Sequence, residues 1–360
     1  MRRASLSRLP KAVLLATAST LLCVPAAVLS STPASAATSY QWGLNSYVAD
    51  DCSTGATWLA DAQHQMAGFK SLGANSVAIA FPIYTGAALS SNDIHTGLQC
   101  GGKEHTPSAA RIGVVIAAAH ADRLKVMLRP LIDEASLGGT RGAWRGLLRP
   151  SNPKLWFAHY QNALTSYLRI AQTDHVERFA IASELDALAH NTMWKTVITQ
   201  AHRLYKGGLS FAANWSNDNG EVKWPGTSAD LDTYVGVAAP PSATPIQLLG
   251  GWNYALKARP LPYPISQTTI DEVGIVAQDG AYPTPWAFGL PVAGHPFDPT
   301  IQANWFKMVC SFVKQHAIKG AFFWGSFLTV NNGYLLSSPN ASYPQAIQPL
   351  AQSALKTCFA

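Results

Sequence analysis

Eight times along the 360-residue chain a short β-branched or apolar run gives way to a longer segment of helical periodicity, and no other feature narrows the fold so far. The strand candidates are residues 41–47, 76–84, 125–132, 178–185, 209–215, 233–239, 265–273 and 320–327. Helical segments lie between them at 57–72, 107–122, 153–173, 192–205, 244–258 and 302–316, with a weak, proline-interrupted piece at 222–229 and a last one at 344–356. Strands that alternate with helices run parallel, because parallel neighbours need a crossover connection. Eight such units in one chain predict a closed α/β barrel, the (β/α)₈ TIM barrel, with an open doubly wound sheet as the alternative. Thr106-Pro107 and Ser151-Asn152-Pro153 each carry a capping side chain followed by proline at the first helical position.

The first 36 residues stand outside this alternation. Arg2, Arg3, Arg8 and Lys11 precede an alanine- and leucine-rich stretch from Ala12 to Leu29, and Ala34-Ser35-Ala36 supplies a small-residue cleavage pattern. Residues 1–36 therefore read as an export signal and residues 37–360 as one mature domain. The signal holds four of the 26 Lys+Arg and none of the 20 Asp+Glu, so the remainder carries only +2, too little for a nucleic-acid footprint. With 13% charged and 48% hydrophobic residues and no second apolar run of spanning length, the chain reads as a secreted, extracellular globule that does not cross a membrane and acts as a monomer.

Cysteine usage agrees with export. Cys23 leaves with the signal, and Cys52, Cys100, Cys310 and Cys358 remain, an even four with three possible pairings. Cys52 follows the first strand and Cys100 the second, which favours Cys52–Cys100 and leaves Cys310–Cys358.

Residues 37–360 contain six glutamates, Glu104, Glu134, Glu177, Glu184, Glu221 and Glu272, and two of them end apolar strands. Alternation puts Ala180, Ala182 and Glu184 on one face of the fourth strand, and Ser266, Thr268, Ile270 and Glu272 on one face of the seventh. In a (β/α)₈ barrel the carboxyl ends of the strands form the active face, so both carboxylates meet at one mouth. Paired carboxyl groups there suit glycosidic-bond hydrolysis, with Glu184 and Glu272 as the catalytic candidates. Trp42, Tyr84, Trp215 and Trp324 lie at or near strand ends and are the candidates for stacking on a sugar ring. Asp133-Glu134 could also touch substrate, and Asp271 could modulate Glu272.

Competing chemistries lack their residues. Gly97 to Lys103 imitates a phosphate-binding loop until Glu104 replaces the hydroxyl residue that would hold magnesium. There is no H-E-x-x-H, paired C-x-x-C or G-x-S-x-G, so no metal or cofactor is expected. Asn214-Trp-Ser216 and Asn340-Ala-Ser342 are sequons read as idle in an exported bacterial protein.

A set of motifs spread over most of residues 37–360 resembles glycoside hydrolase family 113, the clan A (β/α)₈ endo-β-mannanases. It comprises Leu72-Gly-Ala-Asn-Ser-Val77 leading to Tyr84, Thr106-Pro107, Ala118-Ala-His-Ala-Asp-Arg-Leu-Lys-Val-Met-Leu-Arg-Pro130, Trp144-Arg-Gly146 and Trp156-Phe-Ala-His-Tyr160. It continues with Ser183-Glu-Leu185, Phe211-Ala-Ala-Asn-Trp215, Leu231-Asp-Thr-Tyr-Val-Gly236, Asp271-Glu-Val-Gly274 and Phe322-Phe-Trp324. The resemblance implies a retaining hydrolase of β-linked polysaccharide or oligosaccharide, β-mannan first, with Glu184 as acid/base and Glu272 as nucleophile. The sequence departs from the family where the sixth strand is expected to end, at Val237-Ala-Ala-Pro240 instead of an acidic–aromatic pair. Ile275 and Leu131 depart as well. These departures keep a second reading open, a carbohydrate-binding barrel that has lost catalysis.

Overall fold

A computed structural model describes residues 40–97, 104–133, 137, 142–215, 222–287, 295–328 and 343–360. The export-signal reading of residues 1–36, Cys100, Glu134, the second sequon and most of the phosphate-loop imitation fall outside the described residues. The elements are β1 (Gln41–Val48), α1 (Gly55–Ser71), β2 (Ser76–Thr85), β3 (Ile94–His95), α2 (Ala109–Ala121), β4 (Lys125–Ile132), α3 (Pro153–Thr173), β5 (Arg178–Ser183), α4 (Trp194–Leu204), β6 (Gly208–Asn214), β7 (Ser228–Asp232), α5 (Pro245–Ala258), β8 (Ile270–Val273), α6 (Pro299–Gln315), β9 (Gly320–Leu328) and α7 (Pro349–Phe359).

Eight of the strands pair in parallel around a ring, β1-β2-β4-β5-β6-β7-β8-β9, which closes where β9 returns to β1. The predicted (β/α)₈ barrel is therefore the fold, and the open sheet is excluded. The two-residue β3 adds an antiparallel clip to the end of β2 through Tyr84 and Thr85. Among the described residues no helix is long and apolar enough to cross a membrane.

Local chemistry fixes most helix starts. Asn152 accepts the Leu155 N–H at 3.2 Å with Pro153 at the first helical position, as predicted. Thr244 and Gln247 form a reciprocal capping box at α5. Thr106 does not cap α2. Its hydroxyl receives the Gly97 N–H at 3.0 Å, and Ser108 caps the helix by accepting from Arg111 N.

The largest correction concerns the sixth barrel strand, which is β7 at Ser228–Asp232, not residues 233–239, and the weak helix at 222–229 does not form. Val235 and Val237 read as strand, yet they follow the strand as irregular chain packed in the outer core. The polar Asp230 and Asp232, which break the apolar run, face guanidinium groups inside the barrel.

The barrel axis is filled from the bottom upward. Ala78, Met127, Ala180 and Phe322 form a small apolar cluster, and Gly43 makes room for it, since a Cβ there would meet the Phe322 ring at 2.4 Å. The Arg178 guanidinium lies 5.5 Å from the centre of that ring and binds Asp230 at 2.8 Å and Asp271 at 2.9 Å. Outside the barrel, the Cys310–Cys358 disulfide ties α7 to α6, which is the second predicted pairing. Cys52 is also disulfide-bonded, while its expected partner Cys100 is outside the described residues.

Removing the floor cation leaves two buried carboxylates without it, and breaking a buried ion pair costs about 3–5 kcal/mol. Arg178→Met should destabilise the protein by about that amount in urea unfolding followed by tryptophan fluorescence. A loss below about 1 kcal/mol would show that the barrel does not depend on this guanidinium.

Candidate active site

Both candidate glutamates reach the mouth because their strands depart from simple alternation. In β8, regular pleating would send one of the neighbours Asp271 and Glu272 out among the helices. The register shifts on both sides of this strand, between Leu231 and Asp232 against β7 and between Ile270 and Val273 against β9. Asp271 then binds Arg178 on the floor, while Glu272 binds Arg129 one layer higher. The predicted face of Ser266, Thr268, Ile270 and Glu272 is replaced accordingly, with Ile270 in the outer core and Ser266 in a single 3₁₀ turn before the strand.

The fourth barrel strand, β5, behaves similarly. Its register shifts between Ala180 and Ala182, which sends Ala180 to the barrel interior and Ala182 to the outer core. Glu184 follows in a left-handed backbone conformation, φ +52°. For a non-glycine residue this costs on the order of 1–3 kcal/mol, and such residues persist only where surrounding contacts over-determine them. Those contacts are present. Arg145 donates from Nε (3.1 Å) and Nη2 (2.8 Å) to Glu184 Oε2, Asn214 Nδ2 donates to Oε1 at 3.0 Å, and Glu184 N–H reaches the Ala212 carbonyl at 3.1 Å.

Arg129, fully buried on β4, joins the two upper layers by donating to both Asp232 and Glu272. Burial disfavours its charge, but Asp232 and then Glu272 outweigh burial and hold it firmly protonated. Tyr234 donates its hydroxyl to Glu272 from the other side, and burial together with the Glu272 charge keeps that phenol from ionising. Burial likewise lifts the Asp232 carboxyl well above the usual range despite Arg129. Glu184 is raised too, first by burial and then by the charge of Glu272, with Arg145 pulling the other way. The two glutamates thus share one electrostatic field.

Of the four predicted aromatic contacts, the structure brings one to the mouth in an accessible setting. Trp324 is half-buried midway along β9, edge-on to Tyr47 at 6.0 Å and to Phe327 at 6.2 Å. Trp42 sits at the opposite end of the barrel, near the start of β1, stacked on Phe359 at 5.6 Å. Trp215 follows β6 but turns outward onto Trp252 and Phe312 in the helical layer. Both are corrected to packing residues, because each is at most 4% exposed inside the outer core. Tyr84 is buried at the rim, its hydroxyl receiving the His105 N–H at 2.8 Å.

Five residues at the site escape the strand-end argument: Arg129, Arg145, Asn214, Asp232 and Tyr234. Arg129 was legible as a lone cation inside an apolar strand, and Asn214, read as an idle sequon, as a polar strand end. Asp232 and Tyr234 were hidden by the misplaced sixth strand. They provide the acidic and aromatic side chains that Val237 to Pro240 lack. Asp133 is held by the Tyr47 hydroxyl beside the same mouth.

The model of Glycoside Hydrolase Family 113 matches residues 51–331. The chain belongs to that family. It is therefore a glycoside hydrolase, and its substrate is a carbohydrate. Among solved structures it is similar to the GH113 β-mannanase AaManA from Alicyclobacillus acidocaldarius in complex with ManMIm, at 20% identity and a TM-score of 0.65 over 89% of this chain and 98% of that one. A structure of a GH113 β-1,4-mannanase aligns over the same shares at 17% identity and a TM-score of 0.66. At these identities the likeness is one of fold. No curated protein matches the chain.

The aromatic wall of the mouth gives a direct test. A ring contact of the kind Trp324 offers is worth about 0.5–1.5 kcal/mol beyond burial, and with burial of the ring face added Trp324→Ala should lower kcat/KM at least roughly tenfold while thermal unfolding changes little. Full activity on the best substrate would remove Trp324 from the site, and an unfolded variant would make it a packing residue.

Proposed function

We propose that this protein is a secreted, retaining endo-β-mannanase-like hydrolase that cleaves a β-linked polysaccharide or oligosaccharide, β-mannan first, by double displacement. The observation that carries the reading is the contrast between two carboxyl groups in one field. Glu272 accepts from Arg129 and Tyr234, two donors that suit an ionised nucleophile. Glu184 binds its proton more tightly than an ordinary carboxyl, as a general acid must.

In the first step Glu272 forms a bond to the anomeric carbon, the glycosidic bond breaks, and the Glu184 proton goes to the leaving oxygen. In the second, water attacks the anomeric carbon, the bond to Glu272 breaks, and the water proton returns to Glu184. Trp324 forms the floor on which the reacting sugar stacks. Two carboxyl groups suffice for this chemistry, so no cofactor enters it. Specificity for mannan is supported by family membership and by the β-mannanase structures of the same fold. The alternative, a binding barrel without catalysis, drew on a missing aromatic at the sixth strand, and Tyr234 occupies that region with its hydroxyl on Glu272. Export is supported by the pattern in residues 1–36 and by the Cys310–Cys358 bond.

The decisive experiment screens the exported protein against manno-, gluco-, xylo- and galacto-configured β-glycans and follows the product anomer by NMR. Retention on a manno-configured substrate is expected. Inversion would remove the double displacement, and no turnover on any of them would favour the binding barrel. Variants then separate the roles. Glu272→Ala should abolish turnover, whereas Glu184→Ala should keep residual activity on aryl glycosides with good leaving groups and be rescued by azide. Rescue confined to Glu272→Ala would reverse the assignment.

A further inference from the structure

Arg145 belongs to no strand. It stands in the connection between β4 and α3, where its Nη1 donates to the Ile132 carbonyl at 3.3 Å. Its Nε and Nη2 converge on one oxygen, Glu184 Oε2, while Asn214 donates to the other oxygen. The side chains are 15% and 7% exposed, so solvent screens the pair weakly.

We propose that Arg145 is the positioning residue that lets Glu184 serve as a base as well as an acid, by holding its carboxylate form through the paired donors on Oε2. The inference rests on the reading of Glu184 as acid/base. Its logic is a balance of charges around one carboxyl group. Glu184 faces Arg129 from β4, Asn214 from β6, Asp232 and Tyr234 at the end of β7, Glu272 from β8, and Arg145 from its own loop. Burial and the negative charge of Glu272 favour the protonated acid needed for the first step. When Glu272 is esterified to the sugar, that negative charge is gone, and Arg145 remains. The local field then favours the ionised base that the second step requires. Without Arg145 the carboxyl group would hold its proton more tightly and serve less well as a base. Burial alone would produce an acid, and it takes a fixed cation to give an acid that can reverse its role.

The pH dependence of kcat/KM reads this directly, because its basic limb reports loss of the proton from the free enzyme's general acid. An opposite charge at this range moves a carboxyl group by about 1–3 pH units. In Arg145→Gln the basic limb should therefore move up by about one unit or more, with kcat on an activated aryl β-glycoside of the panel falling and a burst of aglycone marking slow hydrolysis of the glycosyl-enzyme. Arg145→Lys keeps the charge but not the fork, so its limb should move the same way by less. It also keeps the test alive if the Gln variant does not fold. In Glu184→Ala the limb should vanish, and its persistence there would overturn the acid/base reading itself. If that control behaves as expected while the limb stays put in both arginine variants, Arg145 is a structural residue and the inference fails.

Discussion

Everything above the barrel floor depends on Arg129, a guanidinium with no exposed surface that is shared between Asp232 and Glu272. A buried cation is tolerated only with partners in good geometry, and removing this one would leave two buried carboxyl groups without it. Arg129 therefore fixes the positions of two strand ends, β7 and β8, at once. Glu272 cannot swing away from the mouth without leaving the guanidinium, and Tyr234 closes its other side. The candidate nucleophile is held by the same contacts that make the barrel interior electrically acceptable.

The described contacts link three guanidinium groups, Arg178, Arg129 and Arg145, to five carboxyl groups, Asp230, Asp271, Asp232, Glu272 and Glu184. Cations alone do not balance that set, and the shortfall favours protonation of its members. Burial raises Asp232 and Glu184, and it lifts Asp271 to about 7 although Arg178 opposes it. An interior short of positive charge thus favours bound protons. Of the three raised carboxyls, Glu184 sits at the mouth, where a proton can be handed to a substrate. The lower two face guanidinium groups inside the barrel, and the top one stands where the proposed acid/base would act.

How much of this the sequence disclosed depended on whether a feature was periodic. The eightfold alternation gave the barrel, and both glutamates were legible because a carboxylate ending an apolar strand is conspicuous. The bulges were not legible, since Ala180-Ile-Ala182 and Ile270-Asp-Glu272 carry no residue that marks a register shift, and the shift is set by neighbouring strands. The sixth strand was misplaced for a related reason. Ser228–Asp232 buries acidic side chains toward arginines contributed by β4 and β5, so its polarity looks like a loop until the partners are known. Val235 and Val237 look like a strand but pack as irregular chain. Trp42 and Trp215 lie near strand ends in sequence, and which face an end residue takes is a tertiary fact.

The same polar interior weighs on the choice between enzyme and binding barrel. Sugar recognition needs hydroxyl partners and a stacking surface, which neutral amides and the Tyr47–Trp324 wall could supply without crowding ionisable groups. Two glutamates in one field raise the cost of ionising both. The left-handed backbone at Glu184 adds a further cost on the order of 1–3 kcal/mol. Such costs are stabilised by devoted contacts here, Arg145 and Asn214 on one carboxyl group and Arg129 and Tyr234 on the other. A surface that only binds gains nothing from holding one carboxyl group's proton more tightly beside another carboxyl group held by a cation. A surface that transfers a proton and then takes one back requires that asymmetry.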